Sequence, residues 1–115
     1  MITDDDQDAL FHALAHSVRR RILDLVGESP GQGVGELAKS FDVSRIAVMN
    51  HLAVLESAGL IVSEKDSRTR RLYLNLVPIQ MIYERWTDQY TAVWAERVTS
   101  IKDAAEQAAK KKGKT

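Results

Sequence analysis

Twice along this chain the spacing of apolar residues changes period. Up to about Ala58 they recur three or four positions apart, from Leu60 to Leu76 they alternate, and after Pro78 the wider spacing returns. A helix gathers i, i+3 and i+4 on one face and a strand gathers i and i+2, so each period names its element. Leu10, Phe11, Ala13 and Leu14 predict a short first helix over Ala9 to Leu14. Ser17 is placed as the N-cap of a second helix carrying Val18, Ile22, Leu25 and Val26, with Gly27 as its stop. Ser29, Pro30, Gly31 and Gly33 then make a loop. Val34, Leu37, Ala38 and Phe41 mark a third, short helix, and Asp42 and Val43 a tight turn. Ser44 caps a fourth helix that Gly59, followed by apolar Leu60, brings to an end. The alternating stretch predicts a β-hairpin around the polar tip Asp66 to Arg70. Pro78 suits the first turn of a last helix bearing Ile79, Ile82, Tyr83, Trp86, Tyr90, Val93, Trp94, Val98, Ile101 and Ala105.

These elements fit one domain in 115 residues. A domain of this size buries only about two-thirds of its unfolded surface, so a long apolar helix left over favours a partner chain. The chain has no cysteine, which excludes disulfides, thiolate metal sites and thiol catalysis. The acidic start, Met1 to Asp8, is not expected to act as a secretory leader, and no apolar run approaches the ~20 residues that cross a bilayer. A soluble, cytoplasmic protein without a membrane partner is expected. The formal net charge is zero, but it is unevenly spread. Asp4, Asp5, Asp6 and Asp8 make the start acidic, the segment 17–75 is mildly basic, and Lys110, Lys111, Lys112 and Lys114 close the chain. Charge alone argues only weakly for nucleic acid, so placement must carry the case. The expected layout is an acidic N-terminal arm over 1–8, a folded domain over 9–108 whose last helix spans about 78–108, and a lysine-rich disordered tail over 109–115.

The third helix, the turn and the fourth helix have the order of a helix-turn-helix, whose second helix can enter a major groove. The basic hairpin beside it is a wing. The expected fold class is therefore mainly α with a β-hairpin wing: a winged helix-turn-helix with a long C-terminal helix for dimerisation. On the fourth helix Ala47, Val48, His51, Leu52 and Leu55 fall inward, and Arg45, Ile46, Met49, Asn50 and Ala53 fall outward. A solvated face normally carries more charge. This one offers groups that suit base edges: Arg45 for guanine O6 and N7, Asn50 for adenine N6 and N7, Ile46 and Met49 for thymine methyls. The plain alternative is that Ile46 and Met49 are partly buried residues of a small domain. Ser44, Arg45, Ile46, Met49 and Asn50 are accordingly expected to touch double-stranded DNA, with Arg68 and Arg70 of the wing on phosphates or in a narrow minor groove. Arg70 and Arg71 should point to opposite faces of their strand. Of Arg19, Arg20 and Arg21, at least one should pack against the helix surface or pair with an acid.

The segments Ala13-Leu14-Ala15-His16-Ser17-Val18-Arg19-Arg20-Arg21-Ile22-Leu23, Val34-Gly35-Glu36-Leu37-Ala38 and Ser44 to Leu60 resemble the ArsR-type family of winged-helix repressors, as does the wing that follows. The likeness covers roughly residues 9 to 76. It implies a homodimer, an operator with dyad symmetry, and repression relieved by a signal. Two departures stand out. The family commonly has Ser and Arg where this chain has Met49 and Asn50, so a different operator or affinity is expected. Its metal-sensing members carry cysteines in the third helix or His and acid sets on the last helix, and this chain has neither.

The chain has three histidines, each a possible metal ligand by residue type. His12 and His16 are four apart, as helical metal ligands would be, but a helix boundary between them separates the pair. His51 faces inward and reads as a hydrogen-bonded core residue. No metal site and no cofactor are expected. Nor is an enzyme: the sequence has no glycine-rich phosphate loop, nucleophile elbow or credible triad. The stripe Tyr83, Trp86, Tyr90, Trp94 and Val98, together with Leu10 of the first helix, is expected to form the dimer interface. A small-molecule pocket between these helices is the competing reading, and an inducer at the dimer seam is compatible with both. The functional expectation is a sequence-specific, autoregulatory, metal-independent homodimeric repressor. The alternative is a winged-helix protein-interaction module that binds DNA only without regard to sequence.

Overall fold

The computed structural model describes residues 2–87 and 91–112, and the side chains of 91–94 and 111–112 are outside that description. The elements run α1 (Asp4–Leu14), α2 (Ser17–Glu28), α3 (Val34–Ala38), α4 (Arg45–Ser57), β1 (Ile61–Asp66), β2 (Thr69–Leu74), α5 (Val77–Thr87) and α6 (Thr91–Lys112). They fall into two compact units that divide at Met81.

The acidic arm expected over 1–8 gives way to helix, since α1 starts at Asp4 rather than Ala9. The reason is a capping box. Thr3 Oγ1 accepts the Asp6 N–H at 3.1 Å, and Asp6 Oδ2 accepts the Thr3 N–H at 3.0 Å. Asp4, Asp5 and Asp6 then sit where the helix dipole is positive, so the acidic run that looked like a solvated arm favours the first turn. The second helix also starts one residue from its expected cap. His16 holds the N-cap position in extended backbone, and its Nδ1 accepts the Val18 N–H at 3.1 Å, which leaves Ser17 as the first helical residue. Helix α2 continues through Gly27 to Glu28, and a methyl at Gly27 would meet Leu74 Cδ2 at 3.2 Å. Gly27 therefore marks the close approach of β2 to α2 rather than the helix end.

Leu10 and Ala13 of α1, Ile22 and Val26 of α2, Val34 and Leu37 of α3, and Val48, Leu52 and Leu55 of α4 are buried together with Leu60, Ile61 and Leu72. This is the core that the apolar periods foretold. It also overturns one expected interface residue: Leu10 is 1% exposed. It faces inward because α1 packs against α2 and α4 of its own chain. Its neighbour Phe11 is the one left outside.

The wing is an antiparallel hairpin with Ile61 opposite Leu74, Ser63 opposite Leu72 and Asp66 opposite Thr69. Ile61, Ser63, Lys65, Arg70, Leu72 and Leu74 thus share one face. The five-residue tip expected over Asp66 to Arg70 shrinks to Ser67 and Arg68, because Thr69 and Arg70 already pair as strand. Ser67 takes a φ of +56°, the left-handed conformation that a tight two-residue hairpin needs at its first central position. Along the other edge of β2, the Gly31 N–H donates to Leu72 O at 2.8 Å and the Leu72 N–H to Gln32 O at 3.0 Å, which ties the wing to the α2–α3 loop.

One last helix was expected over about 78–108. The structure has α5 and α6, with residues 88–90 between them outside the description. Helix α6 reaches Lys112, so the tail expected from residue 109 is helical for most of its length. Alanine is the strongest helix former and lysine among the better ones, and cations are favourable near a helix C-terminus.

Candidate nucleic-acid interface

Helix α4 owes its start to Ser44, whose Oγ accepts the Ala47 N–H at 3.1 Å. Ser44 is also exposed, immediately ahead of the candidate DNA-reading helix. Beyond it Arg45, Ile46, Met49, Asn50 and Ala53 are all exposed, while Val48, Leu52 and Leu55 are buried and Ala47 and His51 half-buried. Ile46 is 72% exposed, while Met49, at 42%, keeps more than half of its surface covered. Between the start of α4, helix α3 and the wing lies an open cleft of about 610 Å³. Its walls include Arg45 and Met49, Lys39 and Glu36 of α3, and Arg68, Arg70 and Arg71 of the wing. Five cationic side chains and one carboxylate therefore meet in one concave surface beside the outward face of α4. Lys39, Glu36 and Arg71 belong to this cleft and were absent from the expected site. The proximity of α3 to the wing arises from the pairing of Gly33 with Arg71, which no local pattern announces.

The wing arginines divide into three roles. Arg68 lies in the exposed turn. Arg70 points to the inward face, where its guanidinium is ion-paired with Glu56 of α4 and its Nη2 donates to Ser63 Oγ at 3.3 Å. Arg71, on the opposite face as strand alternation required, donates from Nη1 to Gly31 O at 3.2 Å and lies 3.7 Å from Asp66 Oδ2. The expected phosphate anchor Arg70 is therefore engaged within its own chain. The register that places Ser63 and Arg70 on one face also aims Arg70 at α4.

Behind α4, Arg19 is 8% exposed. Its Nε donates to Ala13 O at 2.9 Å, its Nη2 to His12 O at 3.0 Å, and its Nη1 to His51 Nδ1 at 3.2 Å. Arg20 donates to Leu14 O at 2.7 Å. These two arginines satisfy the last carbonyls of α1, where the helix dipole favours positive charge. Because an arginine can only donate, His51 Nδ1 is the bare ring nitrogen. The His51 ring lies 4.4 Å, centre to centre, from that of His16. Burial holds its pKa below the ordinary 6.5, and the electrostatic influence of the neighbouring His16 and Arg19 adds to the effect. The nitrogens His16 Nδ1 and His51 Nδ1 are thus both committed to hydrogen bonds. Among the described residues no three His, Asp or Glu side chains gather as a metal-ligand group.

The second unit exposes Tyr83 and Trp86 of α5 and Val98 and Ile101 of α6, with the Arg85 guanidinium 5.7 Å from the Trp86 ring centre. Tyr90 and the side chain of Trp94, both expected at an interface, lie outside the described residues. No helix among the described residues is long and apolar enough to cross a membrane.

The comparisons with known proteins agree with this fold. A family profile described as a helix-turn-helix domain matches residues 14–64, which holds α2 to α4 and most of β1. An uncharacterised HTH-type transcriptional regulator of Bacillus subtilis, YuzN, is 36% identical over 89 residues, covering 72% of this chain and 97% of the relative. The structure of an ArsR-like transcriptional regulator from Rhodococcus sp. RHA1 superposes with a TM-score of 0.66 at 30% identity, over 88% of this chain and 93% of that one. The homodimeric winged helix-turn-helix DNA-binding domain of Mb0332 from Mycobacterium bovis has the same fold, with a TM-score of 0.60 at 19% identity over 76% of this chain and 82% of that one. The chain belongs to the ArsR-type family of winged helix-turn-helix transcriptional regulators.

Proposed function

We propose that this regulator is a sequence-specific repressor that binds a dyad-symmetric operator as a homodimer, represses its own transcription in the cytoplasm, and answers to no metal. The observation that carries the reading is the exposed, charge-poor face of α4 beside a cleft with five cationic side chains. Arg45, Met49 and Asn50 read base edges, Ile46 adds apolar contact, and Ser44 presents the helix N-terminus. Arg68 at the wing tip, with Lys39 in the cleft, meets phosphates. Homodimerisation is supported by the exposed Tyr83, Trp86, Val98 and Ile101 and by the dimeric state of the Mycobacterium bovis relative. Two copies would set their α4 helices in successive major grooves, about 34–36 Å apart. A small-molecule inducer would act by changing that distance.

The experiment is an anisotropy titration against the DNA upstream of the chain's own coding sequence, with unrelated duplex as competitor and at two salt concentrations. Tight binding that survives competitor is the expected outcome. Binding that competitor abolishes, both for this DNA and for duplexes enriched from a random library, would overturn the reading in favour of a protein-interaction module.

A further inference from the structure

The wing stem is held from both faces. Outward, Arg71 donates to Gly31 O and pairs through its backbone with Gly33. Inward, Arg70 is ion-paired with Glu56 and bonded to Ser63. Glu56 stands near the C-terminal end of α4, the helix whose N-terminal half carries Arg45, Met49 and Asn50. The pair is half-buried, with side-chain exposures of 40% for Arg70 and 27% for Glu56, so solvent screens it only in part. Only Ser67 and Arg68 project past the clamped strands.

We infer that Glu56 is a positioning residue for DNA recognition: through Arg70 it fixes the wing at a set distance from α4, so that wing tip and reading helix engage one DNA register together. The inference rests on the DNA-binding reading above. Its sign runs against simple electrostatics. A carboxylate that neutralises an arginine in a basic cleft costs phosphate affinity, and removing it should strengthen every DNA complex and steepen its salt dependence. A clamp predicts the reverse for the operator. Once the wing swings free, contacts that depended on simultaneous engagement are lost, while sequence-independent binding keeps its full charge.

The test uses the full-length protein and a duplex that the wild type enriches from a random-sequence library, with unrelated duplex as reference. Glu56→Gln should lower affinity for the enriched duplex about two- to fivefold, the order of one half-exposed charge pair, and leave unrelated-duplex affinity equal or higher. The charge-exchanged double variant, Glu56→Arg with Arg70→Glu, should restore discrimination, because it keeps both the pair and the local net charge. Thermal melts confirm that each variant is folded. Tighter binding to the enriched duplex by Glu56→Gln, or an unchanged ratio of enriched to unrelated binding, would overturn the clamp. So would an exchanged variant no better than the single one. Failure of the wild type to enrich any sequence would overturn the DNA-reading site itself, and the clamp with it.

Discussion

Arg19 links two parts of the chain that meet only in the folded state, the carbonyl end of α1 and His51 on the inner side of α4. Because His51 is drawn out of solvent, next to His16 and Arg19, the fold favours its neutral form. The sign follows from linkage. A lowered folded-state pKa means that the unfolded chain binds the proton more readily, so this contribution to stability is complete above about 6.5 and is lost as pH falls below it. The urea midpoint should therefore drop between about pH 7.5 and about pH 5, and His51→Asn, which retains an acceptor near Nδ1, should flatten that dependence. An equal slope in both proteins would refute the assignment. The outward residues separate by a different signature. Asn50→Ala should lose about 1–3 kcal/mol of discrimination at one base pair. Arg68→Ala should weaken all sequences alike and reduce the salt slope by about one. Parallel titrations on enriched and unrelated duplexes check both.

The ends of α4 matter as much as its faces. Its start rests on the Ser44 cap. Its finish is a Schellman turn in which Leu60 N–H reaches Leu55 O at 3.0 Å, Gly59 N–H reaches Glu56 O at 3.0 Å, and Gly59 takes a φ of +78°. The turn delivers the chain into β1, and Asn75 secures it by donating from Nδ2 to Gly59 O at 2.9 Å. Gly59→Ala should destabilise the protein by about 1 kcal/mol. The loss is a backbone effect, since the added methyl would meet only Pro78 Cγ at an ordinary 3.8 Å. Ser44→Ala should remove about 1 kcal/mol through the lost cap. Chemical denaturation measures both, and a Gly59→Ala variant as stable as the parent would mean that the turn is not left-handed in solution.

For the molecule as a whole, the described residues of the second unit expose two aromatics, Tyr83 and Trp86, and two aliphatics, Val98 and Ile101, that a lone chain leaves in water. The proposed homodimer covers them. Trp86 is 50% exposed, so Trp86→Glu should leave the first unit folded while converting the dimer to monomer in sedimentation. Losing the second DNA contact of a linked pair should lower operator affinity by roughly a hundredfold. A variant that stays dimeric would remove α5 from the interface.

The order of elements from the first helix to the wing, most of the core and both faces of α4 were legible in the residues themselves. Hydrophobic period, caps and glycine stops act over a few positions, and the local backbone obeys them. Ile46, Met49 and Asn50 could be placed outward from spacing alone. The same local logic failed wherever separate elements meet. Spacing could mark Leu10 as apolar, but only the packing of α1 on α2 and α4 turned it inward. The triplet Arg19-Arg20-Arg21 is one charge run until the fold buries its first member against His51. Arg70 reads as a free wing cation until the hairpin register carries it to Glu56, fourteen positions earlier in the chain. Period decides which way a residue faces along its own element. Partner choice for a long charged side chain depends on which elements come together, and that is settled by burial of the shared core.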